Sequence, residues 1–308
     1  MSAGFVKLIC GLKVSAKRES STGAFGMSDA AWAAYEKRLH RVSAHIYAHL
    51  DEELDLDRLS EIACLSPHHW HRIYRAVHGE TLAATVKRLR LQRAAADLVQ
   101  TDLAVEAIAR RSGYPNIQSF NRTFKAVYGL PPARYRREGS HRVFETSATE
   151  GNPAMYDVTL RQIDPLALVG VAHSGSYMAI GQAFETLYGT LFARSLFRPD
   201  MEMIGIYLDD PELVATEKLR SFACVTATDD VPVEAPLTPR KIDGGQYAVL
   251  RHKGPYADMP KAYQWLYATW LPQSGRAIRD SVMFEKYLNN PRDVAPTELL
   301  TEIHLPLK

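Results

Sequence analysis

The sequence predicts two domains: an all-α double helix-turn-helix domain, followed by an α+β domain of duplicated β-helix-β-β units. Three observations support this prediction. Two short helix–turn–helix patterns, joined by one long helical pattern, fill the N-terminal half. A pattern of strand, helix and two further strands occurs twice in the C-terminal half. The charge also changes sign between the two halves, from basic to acidic.

The balance of charged residues separates the two halves. The whole chain has a formal net charge of +2, but residues 29–142 carry a net +5 and residues 143–308 carry a net −6. A basic module favours phosphate binding, whereas an acidic module disfavours it. The charges therefore indicate a nucleic-acid-binding domain joined to a domain that binds something else.

The ends and boundaries of the domains follow from composition. Residues 1–28 contain an interrupted apolar run and no convincing cleavage site, so we expect a disordered segment rather than a signal peptide, with Met27 as a possible start. The helical domain is expected over 29–140 and the α+β domain over 154–308. The polar segment 141–153 is expected to be the linker between them.

Cysteine spacing and hydropathy limit the location of the protein. Cys10, Cys64 and Cys224 are far apart and form no CxxC pair, which argues against a disulfide framework or a zinc finger. No run of about 18 apolar residues is present, so no membrane span is expected. Both observations favour the cytoplasm.

The helical domain begins with a helix expected over Asp29–Leu50, where apolar side chains recur every three or four positions. An aspartate of the following acidic DEELDLD segment is expected to cap the next helix, Leu56–Ala63. The first unit continues with HHWHRIYRAVHG and ends at Gly79. A long connecting helix from about Thr81 to Val99 leads to the second unit.

The second unit lies between Ala104 and Arg136. Gly113 follows a short helix and suits the left-handed geometry of a helix end. Pro115 falls where a new helix can start, and Gly129 ends that helix. The expected buried stripe of this second helix consists of Phe120, Phe124 and Val127.

These segments resemble the DNA-binding domain of the AraC family of transcription regulators. The resemblance spans roughly residues 32–138 and is carried by ACLSPHHWHRIYRAVHG, RLRLQRAAADL and IARRSGYPNIQSFNRTFKAVYGLPPARYR, in that order. It implies two recognition helices that enter successive major-groove segments on one face of the DNA, about 34 Å apart. Double-stranded DNA is therefore the expected partner.

Outward-facing positions of the two recognition helices supply the candidate base contacts. Arg can bind guanine through two hydrogen bonds, Gln and Asn can bind adenine, and Ile can touch the thymine methyl group. The candidates are His68, His71 and Arg72 in the first unit, and Ile117, Gln118, Asn121 and Arg122 in the second. Arg75 and Lys125 are expected to contact phosphates.

For each polar candidate, the alternative is a solvated surface position or a phosphate contact. His68 and His71 also share a helical face, but no carboxylate lies at ligand spacing, so no metal site is expected.

The C-terminal half contains an internal repeat. HSGSYMAIGQAFETLYGTLF from His173 parallels HKGPYADMPKAYQWLYATWL from His252, 79 residues later. IYLDDPELVATEKLRSFACV from Ile206 parallels KYLNNPRDVAPTELLTEIHL from Lys286, 80 residues later. A doubled unit of this kind predicts a sheet with helices packed on it and a groove between the two halves.

This half resembles the GyrI-like effector-binding domain over about residues 154–308. The resemblance is carried by GPYADMPKAYQWLYATWLPQSG, by MFEKYLNNPRDVAPTELLTEIHLPL, and by their counterparts in the first copy. It implies a small-molecule effector and a pocket glutamate at the position of Glu285.

Glu285 also stands out from the residues alone, because it aligns with Gly205 in the other copy. Strand alternation in MFEKYL places Glu285 on the same face as Met283 and Tyr287. A carboxylate in such surroundings attracts a lipophilic cation or accepts its hydrogen bonds. The alternative is an exposed carboxylate at a strand edge. Further candidate ligand contacts are Tyr177, Tyr207, Tyr256, Trp265 and Tyr287, with Tyr263, Trp270 and Glu302 as additional possibilities.

The sequence thus predicts a sequence-specific DNA-binding transcription regulator, without cofactor or catalytic residues, whose C-terminal domain binds a small aromatic or cationic effector. Effector binding is expected to bias how the DNA-binding domain engages DNA or RNA polymerase. One alternative is a GyrI-like hydrolase that uses the pocket glutamate to activate water, although no GxSxG, HExxH or phosphate-binding Gly loop is present. Another alternative is a protein-binding module for a topoisomerase-like partner.

Overall fold

The computed structural model describes residues 29–52, 54–64, 70, 74, 78, 80–138, 156–211, 213–228 and 231–308. The predicted disordered segment 1–28 and the predicted linker 141–153 lie outside this description. Within it, a helical N-terminal part is followed by a C-terminal part built on an eight-stranded antiparallel sheet with helices.

The N-terminal part contains six helices within the described residues. They are α1 (Asp29–Ala48), α2 (Leu56–Ala63), α3 (Leu82–Gln100), α4 (Val105–Arg111), α5 (Ile117–Tyr128) and α6 (Pro132–Glu138). None of the described helices combines the length and the apolar content that a membrane span requires.

Side-chain caps fix where several of these helices begin. Asp55 accepts a hydrogen bond from the backbone N–H of Asp57 at the start of α2, which confirms the predicted aspartate cap. Asn116 likewise caps α5 by accepting a hydrogen bond of 2.8 Å from the N–H of Ser119. The second helix of this unit therefore begins at Ile117, two residues later than the predicted start at Pro115, because the Asn116 side chain satisfies one of the free N–H groups of the first turn.

Two apolar clusters hold the helical part together. The first packs α1 and α2 against the start of the connecting helix α3, around the fully buried Trp70 and Tyr74. The second packs the end of α3 against α4, α5 and α6, around Phe120 and Phe124. Each cluster forms the core of one helix-turn-helix unit, and α3 joins the two.

The sheet contains the strands β1 (Asp157–Ile163), β2 (Leu166–Ser174), β3 (Met203–Tyr207), β4 (Arg220–Thr226), β5 (Thr238–Ile242), β6 (Gly245–Lys253), β7 (Phe284–Tyr287) and β8 (Leu300–Pro306). Their order is β1-β6-β8-β7-β3-β4-β2-β5, and every neighbouring pair is antiparallel. The edge strand β1 joins β2 through only Asp164 and Pro165, although β2 lies next to the opposite edge. The sheet must therefore curve strongly, which brings its two edges together.

Helices cover one face of the curved sheet. α7 (Gly181–Ala193) packs on β2 and β4, and α8 (Met259–Trp265) packs on β6 and continues as a π-helical stretch, Leu266–Trp270. The other face encloses a separate apolar cluster that includes Ile204, Tyr247 and Phe284. Side chains of the central strands β3 and β7 therefore point alternately into two different cores.

The two parts of the molecule pack directly against each other. α1 lies on α7, and the connecting helix α3 contacts two 3₁₀ turns of the C-terminal part, Tyr177–Ala179 and Tyr256–Asp258. The core of the second helix-turn-helix unit also includes Ala257 and the partly buried Met178 from these turns. The second unit thus completes its core with residues of the C-terminal part.

Candidate functional site

The helix α5 presents a polar surface opposite its buried stripe. Phe120, Phe124 and Tyr128 anchor it in the core, and the sequence had suggested Val127, which is only partly buried, in place of Tyr128. Because these anchors fix the rotation of the helix, the opposite side faces outward. Gln118, Arg122 and Lys125 are exposed there, and Ile117 and Asn121 are partly exposed.

The candidate DNA contacts of the first unit, His68, His71, Arg72 and Arg75, lie outside the described residues. The neighbouring Trp70 and Tyr74 are described, and each is buried at 1% exposure, as the predicted apolar stripe requires. The Tyr74 hydroxyl donates a hydrogen bond of 2.9 Å to Thr85 of α3, so the first unit is tied directly to the connecting helix.

The candidate effector site centres on Glu285 in β7. Its side chain is buried at 4% exposure beneath the helices, so it is not the exposed strand-edge carboxylate considered as the alternative. Tyr263 of α8 donates a hydrogen bond of 2.5 Å to one carboxylate oxygen, and Tyr287 donates one of 2.8 Å to the other. The hydroxyl of Tyr207 lies 2.5 Å from that of Tyr287. We refer to Glu285, Tyr207, Tyr263 and Tyr287 as the carboxylate cage.

Gly205 makes room for this arrangement. It pairs directly with Glu285 across β3 and β7. A Cβ at this position would lie 2.7 Å from the Tyr287 hydroxyl, which is closer than real Cβ atoms come, and 3.0 Å from the Tyr207 ring, which is tighter than most real Cβ contacts. A side chain at residue 205 would therefore force the tyrosines to shift.

The electrostatics of the cage are unusual for a glutamate. Burial raises the pKa of Glu285 to about 7, while the hydrogen bonds from Tyr263, Tyr287 and Tyr207 act in the opposite direction. Among the described residues, no Lys or Arg forms an ion pair with this carboxylate. The Glu285 carboxylate is therefore held by tyrosine hydroxyls and surrounded by aromatic rings, but it has no counterion among the described residues.

Two other predicted ligand contacts form a layer around the cage. The ring of Tyr256 meets that of Tyr287 edge-on, with 5.6 Å between centroids. The ring of Tyr177 meets that of Tyr207 edge-on at 4.7 Å, and its hydroxyl donates to the backbone carbonyl of Asp209. Both residues thus support cage tyrosines rather than touching the carboxylate.

The remaining candidates lie elsewhere. Trp265 packs on Tyr156, with 5.3 Å between ring centroids, and belongs with Trp270 to the apolar cluster beneath α8. Glu302 points into the opposite face of the sheet, where Arg161 pairs with it at 3.0 Å. Helical and strand periodicity identify which side chains point inward, but not which of two cores an inward side chain enters.

A second buried polar cluster was not anticipated from the sequence. Arg292 contacts Glu80 at 3.1 Å and Glu185 at 3.3 Å, and Arg88 contacts Glu80 at 2.6 Å. Exposed fractions of these four side chains lie between 5% and 15%. Glu80 and Arg88 belong to the helical part, whereas Glu185 and Arg292 belong to the sheet part. We refer to these four residues as the interface network.

The chain matches two family models. A model described as a helix-turn-helix domain matches residues 59–138, and a model described as a GyrI-like small molecule binding domain matches residues 156–308. The second match contains the whole carboxylate cage. The first contains the exposed surface of α5 and the connecting helix.

Curated proteins and a solved structure are similar to this chain. The uncharacterized HTH-type transcriptional regulator YbfP of Bacillus subtilis is 33% identical over 102 residues, which are 33% of this chain and 35% of YbfP. The right origin-binding protein of Escherichia coli is 24% identical over 287 residues, with 84% of this chain and 94% of that protein covered. The solved C-terminal domain of EcmrR aligns with a TM-score of 0.41 at 17% identity, covering 50% of this chain and 98% of that domain. The chain thus spans only about a third of the length of YbfP.

Proposed function

We propose that this chain, which contains an AraC-type helix-turn-helix domain followed by a GyrI-like small molecule binding domain, is a sequence-specific transcription regulator that responds to a small aromatic or cationic molecule. The observation that carries the effector part is the buried Glu285 carboxylate, which is surrounded by tyrosines and has no counterion among the described residues.

The chemistry of the cage favours a cation. Burying an ionised carboxylate without a positive partner costs free energy, so a positively charged ligand that pairs with the carboxylate removes part of this cost. Tyrosine rings attract cations through their faces, and this attraction is strongest where water is excluded. Both carboxylate oxygens already accept tyrosine hydrogen bonds, so the site does not require a ligand that donates its own.

A binding experiment tests this assignment. Benzyltrimethylammonium is titrated calorimetrically into the full chain and into Glu285→Gln at pH 8, where the native carboxylate is ionised. Because a unit charge at about 4 Å is worth several kcal/mol at an effective dielectric constant near 20, we expect affinity to fall by about a hundredfold or more.

Glu302→Gln is the matched control for that titration, since it neutralises a buried carboxylate on the opposite face of the same sheet. Its affinity for the cation should stay within about twofold of the native value. Equal affinities of the native chain and Glu285→Gln would contradict a cation site at the cage.

The DNA-binding part of the proposal rests on the exposed polar side of α5. We expect Arg122→Ala to weaken binding to the preferred site by about 1–3 kcal/mol and to relax sequence preference at one base pair. Lys125→Ala should weaken binding to all sequences alike and reduce the salt dependence. Binding of selected against scrambled promoter fragments at physiological salt measures both, and equal binding to both fragments would contradict the assignment.

The C-terminal domain is proposed to consist of two copies of one structural unit. Duplicated β-helix-β-β units are supported by the pairing of Gly205 with Glu285, which stand 80 residues apart, and by the contact of Tyr207 with Tyr287, also 80 residues apart. The DNA-binding domain then extends over 29–140 and the effector domain over 154–308, joined by 141–153. RNA polymerase is a further partner through which a regulator of this kind acts, in the cytoplasm.

We infer binding without turnover. The relative YbfP bears the name of a transcriptional regulator, and both Glu285 oxygens already accept hydrogen bonds from tyrosine hydroxyls. Hydrolysis of an activated ester that is lost in Glu285→Gln would favour the hydrolase alternative. Nothing specific in the described residues favours a topoisomerase-like partner.

A further inference from the structure

We infer that Arg90 of the connecting helix α3 fixes the position of one helix-turn-helix unit relative to the other, and thereby determines which spacing between two DNA segments the protein prefers. The inference rests on the proposed function, because it concerns the same DNA-binding domain. Arg90 is a positioning residue, which acts through protein carbonyl groups and not through contact with DNA.

Arg90 lies at the point of α3 where one apolar core ends and the other begins. The preceding residue, Leu89, packs in the core of the first unit, and the next residue, Leu91, packs in the core of the second. Among the described residues, no side chain belongs to both cores. Within the helical part, the position of one unit relative to the other therefore depends on α3 and on contacts that cross between the units.

The Arg90 guanidinium makes such a contact. Its Nε donates a hydrogen bond of 2.8 Å to the carbonyl oxygen of Leu50, and one terminal nitrogen donates one of 2.5 Å to that of Glu52. Both acceptors follow the end of α1. The other terminal nitrogen donates to the carbonyl oxygen of Gly113 at 3.3 Å, in the turn between α4 and α5. One rigid, planar group thus joins the first unit to the turn of the second.

These hydrogen bonds distinguish Arg90 from the arginines expected to contact phosphates. All three of its guanidinium nitrogens donate to backbone carbonyl groups, and the side chain is partly buried. Arginine side chains that donate to the free carbonyl groups beyond a helix end stabilise that end. Here the same guanidinium also holds a turn of the other unit, so it cross-links two segments of backbone.

Gly113 allows the guanidinium to lie directly against the turn. It has a φ of 72°, and a Cβ on it would lie 2.4 Å from Cζ of Arg90, which is closer than real Cβ atoms come. Gly129, at the end of α5, has a similar φ of 76°, but a Cβ there would meet nothing within 4 Å. Both glycines suit the left-handed conformation, whereas only Gly113 also makes room for Arg90.

A fixed position of the two units has a direct consequence on DNA. Two recognition helices held at one separation fit two major-groove segments at one spacing. One additional base pair moves the second segment by about 3.4 Å along the duplex and by about 35° around it. Rigidly joined units can follow this displacement only if the DNA or the protein deforms, whereas loosely joined units adjust to it.

The affinity of the full chain for duplexes of different spacing tests the inference. The native chain selects its preferred site from a random DNA library, footprinting locates the two contacted segments, and one base pair is inserted between them. Fluorescence anisotropy measures both dissociation constants. We expect the insertion to weaken binding of the native chain by about tenfold or more, and binding of Arg90→Met by less than about threefold, because this variant loses all three donors.

Arg90→Lys separates positioning from charge. Lysine keeps the positive charge but lacks the planar fork, so it cannot hold both units at once. The insertion should therefore weaken its binding by less than about threefold as well. Thermal unfolding identifies a variant that has lost its fold, and Arg90→Lys provides the test if Arg90→Met does not fold. A phosphate contact would give the opposite result, since lysine would then restore native behaviour at both spacings.

Arg136→Met is the matched control for loss of an arginine. The Arg136 guanidinium also donates to two carbonyl groups, those of Leu98 and Leu103, but both acceptors belong to the second unit. Its loss should leave the effect of the insertion at about tenfold or more, because no contact between the units is removed.

The two glycines provide a second matched pair. Gly113→Ala and Gly129→Ala introduce the same backbone strain, but only the first methyl group displaces the Arg90 guanidinium. We expect the insertion to weaken binding of Gly113→Ala by less than about threefold, and binding of Gly129→Ala by about tenfold or more.

The outcomes separate this inference from the function on which it rests. If the native chain binds selected and scrambled duplexes alike, the proposed DNA-binding function is wrong and the inference falls with it. If the native chain is selective but tolerates the insertion, or if both Arg90 variants respond to the insertion as the native chain does, the function stands and the positioning role is overturned. An equal loss of spacing preference in Arg136→Met, or in both glycine variants, also overturns it.

Discussion

The molecule buries carboxylates in two clusters, and the clusters differ in whether a positive charge lies next to the carboxylates. In the interface network, Glu80 and Glu185 face Arg88 and Arg292 at distances of 2.6 to 3.9 Å. In the carboxylate cage, Glu285 faces only tyrosines. Burial acts to raise the pKa of both Glu80 and Glu285, but hydrogen bonding and charge from Arg88 lower that of Glu80, whereas that of Glu285 rises to about 7.

This difference indicates what each cluster is for. Charges that are fully paired inside the protein have nothing to gain from a ligand, and they specify one relative position of the domains. A carboxylate without a counterion is costly when ionised, and that cost is what a cationic ligand removes. The network is therefore suited to structure, and the cage to binding.

The strongest test of this comparison removes one cation of the network. Arg292→Met leaves Glu185 with Arg88 only at 3.9 Å, and deprives Glu80 of one of its two partners. Because an uncompensated buried charge is left behind, we expect the free energy of unfolding to fall by about 3–5 kcal/mol. Urea denaturation followed by tryptophan fluorescence measures the loss.

Two further variants check that interpretation. Arg276→Met removes an exposed arginine of the same domain and should change stability by less than about 0.5 kcal/mol. Adding Glu185→Gln to Arg292→Met removes the unpaired charge, and should restore part of the loss. If the double variant is as unstable as the two single losses added together, the interpretation as a coupled pair is wrong.

The sequence anticipates the cage better than the network, for a physical reason. Strand alternation places Glu285 and Tyr287 on one face, and the repeat marks Glu285 as the position where the two copies differ. Arg292 and Glu80 stand 212 residues apart, and each resembles an ordinary surface charge in its local context. Only the packing of one domain on the other makes them partners, and local periodicity carries no information about that packing.

The same limit applies to details of the fold and the site. Helix spacing, caps and glycines located α2 to α5 closely, because those signals are local. Tyr263 and Trp265 are both aromatic candidates on the same helix, yet Trp265 packs on Tyr156 and Tyr263 reaches the carboxylate. The approach of Tyr207 to Tyr287 depends on the register between β3 and β7, which is set by tertiary pairing.

The pH dependence of stability sharpens the comparison further. The pKa of Glu285 rises on folding from an ordinary 4.5 to about 7. Its protonated form therefore favours the folded state fully below pH 4.5, and this contribution is lost as the pH rises through 7. At about 1.4 kcal/mol for each unit of pKa, the loss is about 3 kcal/mol.

Glu285→Gln has no such proton to lose. Subtracting the native free energy of unfolding from that of Glu285→Gln cancels the other titrating groups, and the difference should rise by about 3 kcal/mol between pH 4.5 and pH 8. Denaturation at a series of pH values measures it. Parallel curves for the two proteins would mean that Glu285 is ionised in the fold at no cost, and the contrast with the network would disappear.

The smallest expected effect tests whether the cage is shaped by the one residue that lacks a side chain. Gly205→Ala places a methyl group 2.7 Å from the Tyr287 hydroxyl, and the methyl group forces this hydroxyl away from the Tyr207 ring. Rigid rings cannot fold aside, so we expect a loss of about 1–3 kcal/mol in the free energy of unfolding. Gly189→Ala in α7 is the control, since its nearest neighbour lies 3.6 Å away and alanine favours a helix.

Because a displaced Tyr287 no longer donates to Glu285, the pH midpoint of the Glu285 contribution should also move upward in Gly205→Ala. A variant as stable as the native chain, with an unmoved midpoint, would mean that the tyrosines are held over the carboxylate by something other than the gap at residue 205.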